Sequence, residues 1–142
     1  MSYLISPQAN LVLQIIAFAI VLVSLVLKMK RRYFLHGTSM LTVVVLNVIS
    51  FLLIMGPSLR DSRTFIINNL SDRFALVTVG HVVFGTIAGI LAIWVVIAWH
   101  LQSTTKNCVR KKKMMRFIFL LWTAALIFGF LLHLLQNTQL FV

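Results

Sequence analysis

The sequence predicts an all-α integral membrane protein, a four-helix bundle with its N-terminus and C-terminus both outside. Three observations lead to this fold class. Hydrophobic residues make up 61% of the 142 residues and charged residues only 11%, against roughly a quarter in a soluble domain. The chain contains four long apolar stretches, and its basic residues cluster between them. We therefore expect a single membrane domain over residues 1–142.

Each apolar stretch is long enough to form a transmembrane helix. The predicted spans are residues 10–27, 35–55, 74–99 and 117–135. The shortest holds about 18 residues, which suffices to cross the hydrocarbon core of a bilayer. Gly56-Pro57 is a pair that commonly ends helices, and we expect it to end the second span. Ser71 and Asp72 are candidate N-caps of the third.

The distribution of positive charge predicts the orientation in the membrane. Loops 28–34 and 101–116 contain ten of the thirteen lysine and arginine residues. Because positively charged loops stay inside, we predict that both loops are cytoplasmic and that the protein lies in the plasma membrane. The connection at residues 58–71 then lies outside, either as a short helix on the membrane surface or as an irregular polar loop.

The four histidines all lie near the ends of predicted spans, which groups them into two pairs. His36 and His100 fall at the cytoplasmic interface, and His81 and His133 lie just inside the outer interface. Ionisable groups in a bilayer are costly unless they face a partner or a ligand. The inner pair is therefore either hydrated at the interface or a ligand pair, and the outer pair either links two helices or binds a cofactor.

Heme b is the first cofactor that this pattern favours. Histidines on two facing helices can supply both axial ligands of a heme iron, provided that small residues let the flat macrocycle approach the backbone. Gly85 and Gly89 follow His81 on its helix, and Gly129 precedes His133 by one turn. The same glycines are equally typical of closely packed membrane helices, so packing without any cofactor is an alternative.

Copper is the other metal that the residues permit. Met55 ends the second span at nearly the depth of His81 and His133. A set of histidine and methionine ligands is soft enough to bind Cu(I). The sequence thus leaves three alternatives for this region, namely heme b, copper or no cofactor.

Several classes of function are excluded by residues that the chain lacks. Its only carboxylates are Asp61 and Asp72, both in the outer connection. No acidic residue can serve general acid–base chemistry or a Ser-His-Asp triad within the membrane, which excludes hydrolase activity but leaves electron transfer open. The basic residues flank apolar stretches, a pattern that reports membrane orientation and not a nucleic-acid partner.

Three short segments carry a resemblance to a known family. They are a basic run leading to a histidine and a methionine at residues 31–41, Gly80-His81-Val82, and a basic stretch leading to a tryptophan at residues 111–123. From about residue 30 to 135 the chain resembles the small four-span membrane family called domain of unknown function 420. That resemblance implies a link to the maturation of heme–copper cytochrome oxidases and assigns functional roles to His36 and His81.

The chain departs from the family pattern at one position. Members of the family usually have a histidine in the second basic stretch, where this chain has Lys111. His100 and His133 are the residues that could compensate for it; otherwise the site is altered or lost.

Together, residues and resemblance predict a histidine-dependent heme-binding protein similar to a b-type cytochrome, or an oxidase-associated protein, in respiratory electron transport or assembly. One alternative is a non-catalytic accessory subunit that packs in a larger membrane complex. Another is a Cu(I) delivery factor. In each case the expected partners are the lipid bilayer and other membrane subunits.

Overall fold

The computed structural model describes residues 7–99 and 112–140, which are helical except for turns at residues 30–32 and 69–72. The elements are α1 (Pro7–Met29), α2 (Tyr33–Ser50), a π-helical segment (Phe51–Met55), α3 (Gly56–Asn68), α4 (Arg73–Trp99) and α5 (Lys112–Leu140). Four helical segments in these ranges are long and apolar enough to span a membrane. The all-α class is thus confirmed, together with four helices able to span a membrane, and the orientation of the termini stays a prediction.

A tight turn joins α1 and α2 into an antiparallel hairpin. The amide of Arg32 donates to the carbonyl of Leu27, and the amide of Arg31 donates to the carbonyl of Lys28, each at 3.0 Å. This pair of bonds is the Schellman motif, which requires a left-handed residue at the position of Arg31. Arg31 has φ 59°, a conformation that usually selects glycine. The backbone is therefore strained at the centre of this turn.

The expectation that Gly56-Pro57 ends the helix of the second span is wrong. The helix continues through this pair as α3, so that residues 33–68 form one helical rod of 36 residues. At 1.5 Å per residue the rod is about 54 Å long, against roughly 30 Å for a hydrocarbon core. Of the two alternatives for the connection at residues 58–71, the structure has a helix as far as Asn68.

The π-helical segment explains how the chain tolerates these two residues. The amide of Gly56 donates to the carbonyl of Phe51, five residues earlier, as in a π-helical turn. Pro57 then falls at the first turn of α3, where a missing amide hydrogen costs least. A Cβ on Gly56 would lie 3.0 Å from the Phe51 carbonyl oxygen, so this close backbone approach favours glycine.

Two helix pairs make up the bundle, and aromatic residues join them. α4 and α5 share the most extensive interface, followed by α1 and α2. Ala17, Val21 and Val43 form a buried cluster against which Phe119 and Trp122 of α5 pack. Phe18 of α1 and Trp122 also contact each other, with ring centroids 6.0 Å apart. The centre of the bundle is therefore built by α1, α2 and α5.

Apart from the continuation of α2 into α3, the helix ends differ from the predicted boundaries mainly in α5. This helix begins at Lys112, so Lys112, Lys113 and Arg116 lie in its first turns and not in the preceding loop. At the start of α4, Asp72 occupies the N-cap position, because its carbonyl accepts the amide of Leu76 at 3.0 Å. Many large apolar side chains on the outer faces of the helices are exposed, as expected for contact with lipid.

Candidate functional site

A polar cavity lies at the end of the bundle where α2 passes into α3. Its volume is about 200 Å³, and α1, the π-helical segment, α3, α4 and α5 contribute to its wall. Met55, His81 and His133 all line it, so the structure brings the three predicted copper ligands to one place. The other polar residues of the wall are Asn10, Gln14, Ser58, Ser62, Thr78 and Gln136. Among residues 7–99 and 112–140, no charged side chain lines this cavity.

His81 is held in one orientation by the backbone of α5. Its Nδ1 lies 2.7 Å from the carbonyl oxygen of Ala125. Because a carbonyl only accepts, Nδ1–H is the donor, and in the neutral imidazole Nε2 then carries the lone pair. Metal-binding histidines typically show this arrangement, with one ring nitrogen donating to a carbonyl and the other left for the metal.

Gly129 makes room for the His81 ring. A Cβ at this position would lie 3.0 Å from Cε1 and 3.1 Å from Nδ1 of His81. The sequence predicts a flat ring against Gly129, and the ring found there is this imidazole. The space that glycine leaves on α5 is therefore occupied by a side chain of α4.

His133 makes a different contact. Its Nε2 accepts a hydrogen bond from the side-chain amide of Asn137, one turn later on α5, at 3.1 Å. Asn137 is exposed, so this bond competes with water. A ligand that takes the Nε2 lone pair of His133 has to displace only this contact.

The small residues of α4 divide between helix packing and open surface. A Cβ on Gly85 would lie 3.8 Å from the Cβ of Ala125, so Gly85 belongs to the interface with α5. Close by, Phe84 and Phe128 stack with ring centroids 5.6 Å apart. A Cβ on Gly89 would meet nothing within 4 Å. Gly85 therefore serves helix packing, and Gly89 lies on a face that no other described residue covers.

His36 lies elsewhere, buried between α1 and α2. It is 5% exposed, and its Nδ1 lies 2.6 Å from the hydroxyl and 2.9 Å from the carbonyl of Ser24. The Ser24 hydroxyl is also within 3.1 Å of the His36 carbonyl. Within the described residues, His36 thus links the two helices of the hairpin. Its predicted partner His100 lies outside these residues, as does Lys111.

Sequence reasoning missed a polar network beside the cavity. The Ser50 hydroxyl donates to the side-chain oxygen of Asn10 at 2.5 Å and accepts from the Gln14 amide at 3.4 Å. Gln14 and Ser50 are both buried. Asn10 and Gln14 lie one turn apart on one face of a mostly apolar helix, and this spacing is the signal that could have identified them.

The donor set favours a small soft ion over a macrocycle. Among the described residues, no group of three or more histidine, cysteine, aspartate or glutamate side chains is placed to hold a metal ion. What they offer is two imidazoles and one thioether around a cavity of about 200 Å³. That is below the 300–1,000 Å³ typical of organic ligand pockets, which favours a small ion over a heme.

Comparisons with known proteins add no assignment. No family model matches the chain, and neither a curated protein nor a solved structure matches it.

Proposed function

We propose that this membrane protein binds Cu(I) in the polar cavity through Met55, His81 and His133, and that it serves the maturation of respiratory oxidases. One observation carries the proposal. These three residues come from the π-helical segment, α4 and α5, and all line one cavity. Thioether and imidazole together form a ligand set that suits Cu(I).

The neutral side chains of the cavity wall favour a monovalent ion over a divalent one. The described residues of this wall are all neutral, so none of them offsets the charge of a bound cation. The cost of burying an ion in a medium of low dielectric rises steeply with its charge. Zn²⁺ and Cu²⁺ are therefore disfavoured relative to Cu(I), which carries a single charge.

The orientation of His81 supports the same role. Its hydrogen bond to Ala125 fixes the tautomer and leaves the Nε2 lone pair free before any ligand arrives. A preorganised ligand binds with a smaller loss of side-chain entropy. We assign the principal ligand role to His81, with Met55 and His133 completing the site.

Anaerobic titration of the purified protein tests the proposal. We expect one Cu(I) per chain in competition with a chromogenic Cu(I) chelator, and at least about tenfold weaker binding in H81A, H133A and M55L. M29L is the matched control, because Met29 is exposed at the opposite end of the bundle. Equal loss in the control, or a Soret band in the visible spectrum of the purified protein, would overturn the copper assignment.

The respiratory role rests on the resemblance in residues 30–135. It is tested in cells that carry the gene, where we expect its deletion to lower the copper content of the terminal oxidase. Added copper should restore that content in part. Normal oxidase copper in the deletion strain would separate the binding activity from this biological role.

A second candidate function is supported by the face around Gly89. This residue meets no neighbour within 4 Å, and Ile90 and Trp94 beside it are more than half exposed. A small residue on a lipid-facing helix lets another helix approach closely. An accessory subunit of a larger membrane complex would use this face, and G89L would then abolish copurification of the complex while Cu(I) binding persists.

A further inference from the structure

Basic residues collect at the end of the bundle opposite the polar cavity. The α1–α2 turn and the start of α5 come together there, because Phe119 and Trp122 of α5 pack on the cluster of Ala17, Val21 and Val43. The described basic residues of this basic end are Lys28, Lys30, Arg31, Arg32, Lys112, Lys113 and Arg116.

The chain cannot neutralise these cations with its own side chains. Its only two carboxylates are Asp61 in α3 and Asp72 before α4, both at the other end of the bundle. An external anion is therefore required to offset the positive charge. Juxtamembrane clusters of four to eight lysines and arginines attract anionic lipids in this way.

Two of the cations lie on faces that run towards the centre of the bundle. Lys28 follows the buried residues Val21 and Ser24 on one face of α1 and is only partly exposed. Arg116 precedes Phe119 by three residues, on the face of α5 that reaches the same cluster. Lys28 of α1 and Arg116 of α5 therefore lie towards the same end of the cluster formed by Ala17, Val21 and Val43.

The surroundings of the basic end are apolar and exposed. Met29 is 77% exposed, and Phe34, Phe117 and Leu120 are each more than half exposed. Acyl chains can lie along these side chains while a phosphate contacts the cations above them. A nucleic acid would not bury these apolar side chains. The combination of cations and exposed apolar side chains therefore favours a lipid.

We propose that the basic end binds the phosphate headgroup of an anionic phospholipid, with Lys28 and Arg116 as its principal contacts. The strained turn fits this role, since Arg31 keeps a cation at a position where glycine would relieve the backbone. The lipid would stabilise the junction between the α1–α2 hairpin and α5. This site is independent of the copper site at the other end.

Native mass spectrometry of the detergent-solubilised chain tests the proposal. The probes are phosphatidylglycerol and phosphatidylcholine with identical acyl chains. We expect retention of phosphatidylglycerol, and roughly tenfold or greater loss of that affinity in the double variant K28Q/R116Q. The matched control R60Q/R63Q removes two exposed arginines of α3 at the other end and should leave lipid binding unchanged.

Further arms keep the test decisive. The charge-conserving variant K28R/R116K should retain the lipid, which separates loss of charge from loss of folding. Inorganic phosphate at the same concentration should not displace the lipid, since it lacks acyl chains. Equal affinity for both lipids, equal loss in R60Q/R63Q, or displacement by phosphate or by a DNA oligonucleotide would overturn the proposal.

Discussion

The imidazole of His81 connects the packing of α4 on α5 with the chemistry of the cavity. One nitrogen donates to the Ala125 carbonyl, and one ring edge lies against the backbone at Gly129. The position of the ring is thus set by α5, although the residue belongs to α4. Any change that moves the ring should alter both the stability of this helix pair and the affinity for a ligand.

Gly129→Ala tests this connection. The new Cβ would lie 3.0 Å from the imidazole, so the ring must move and its bond to Ala125 must lengthen or break. We expect a loss of about 1–3 kcal/mol in the free energy of unfolding, together with weaker Cu(I) binding. Thermal unfolding in detergent and the chelator competition measure the two effects.

Gly89→Ala is the control for this substitution. It makes the same chemical change on the facing helix at a position with nothing within 4 Å. Alanine is the better helix former, so the control should gain up to about 1 kcal/mol and bind copper normally. If both variants gained stability equally, the contact between His81 and Gly129 would have no energetic significance.

The continuous rod of α2, the π-helical segment and α3 determines where Met55 lies. Met55 is the last residue of the π-helical segment, and Ser58 and Ser62 of α3 follow it along the cavity wall. A π-helical turn contains one residue more than an α-helical turn, so it changes the direction of every side chain that follows. The irregular segment therefore acts as a positioning element for the cavity.

Gly56→Ala tests that element. Its Cβ would lie 3.0 Å from the Phe51 carbonyl oxygen, and a backbone atom cannot move aside as a flexible side chain does. We expect a net loss of about 1 kcal/mol in stability and reduced Cu(I) affinity, because Met55 shifts with the turn. A rise in the unfolding temperature like that of G89A would instead show that the π-helical turn adapts freely.

The elements differ in how far the sequence could predict them. The lengths of the apolar stretches and the charges that flank them suffice to predict four spans, since both are local properties of the chain. The continuation through Gly56-Pro57 was not predictable, because it depends on a π-helical turn that forms only with the surrounding packing. The predicted depths of Met55, His81 and His133 in the membrane were enough to group these residues at one end. The burial of His36 against Ser24 depends on how α1 and α2 align along each other, which a single sequence does not reveal.

At the scale of the whole molecule, charge and polarity separate the two ends of the bundle. One end combines a neutral polar cavity with both carboxylates of the chain, and the other holds seven described cations. Such an asymmetry orients a membrane protein, because basic segments are retained on the cytoplasmic side. In the predicted orientation, the proposed copper site would lie near the outer surface and the proposed lipid site in the inner leaflet.

The single cysteine makes this orientation directly measurable. Cys108 lies between α4 and α5 in the sequence, in the loop predicted to be cytoplasmic. A membrane-impermeant maleimide should leave it unlabelled in intact cells and label it after permeabilisation. The variant C108S/T64C moves the only thiol to an exposed position of α3, where labelling should occur in intact cells. The reverse pattern would invert the topology and place the copper site on the cytoplasmic side, because the two ends of the bundle are fixed relative to each other by the packing of α1, α2 and α5.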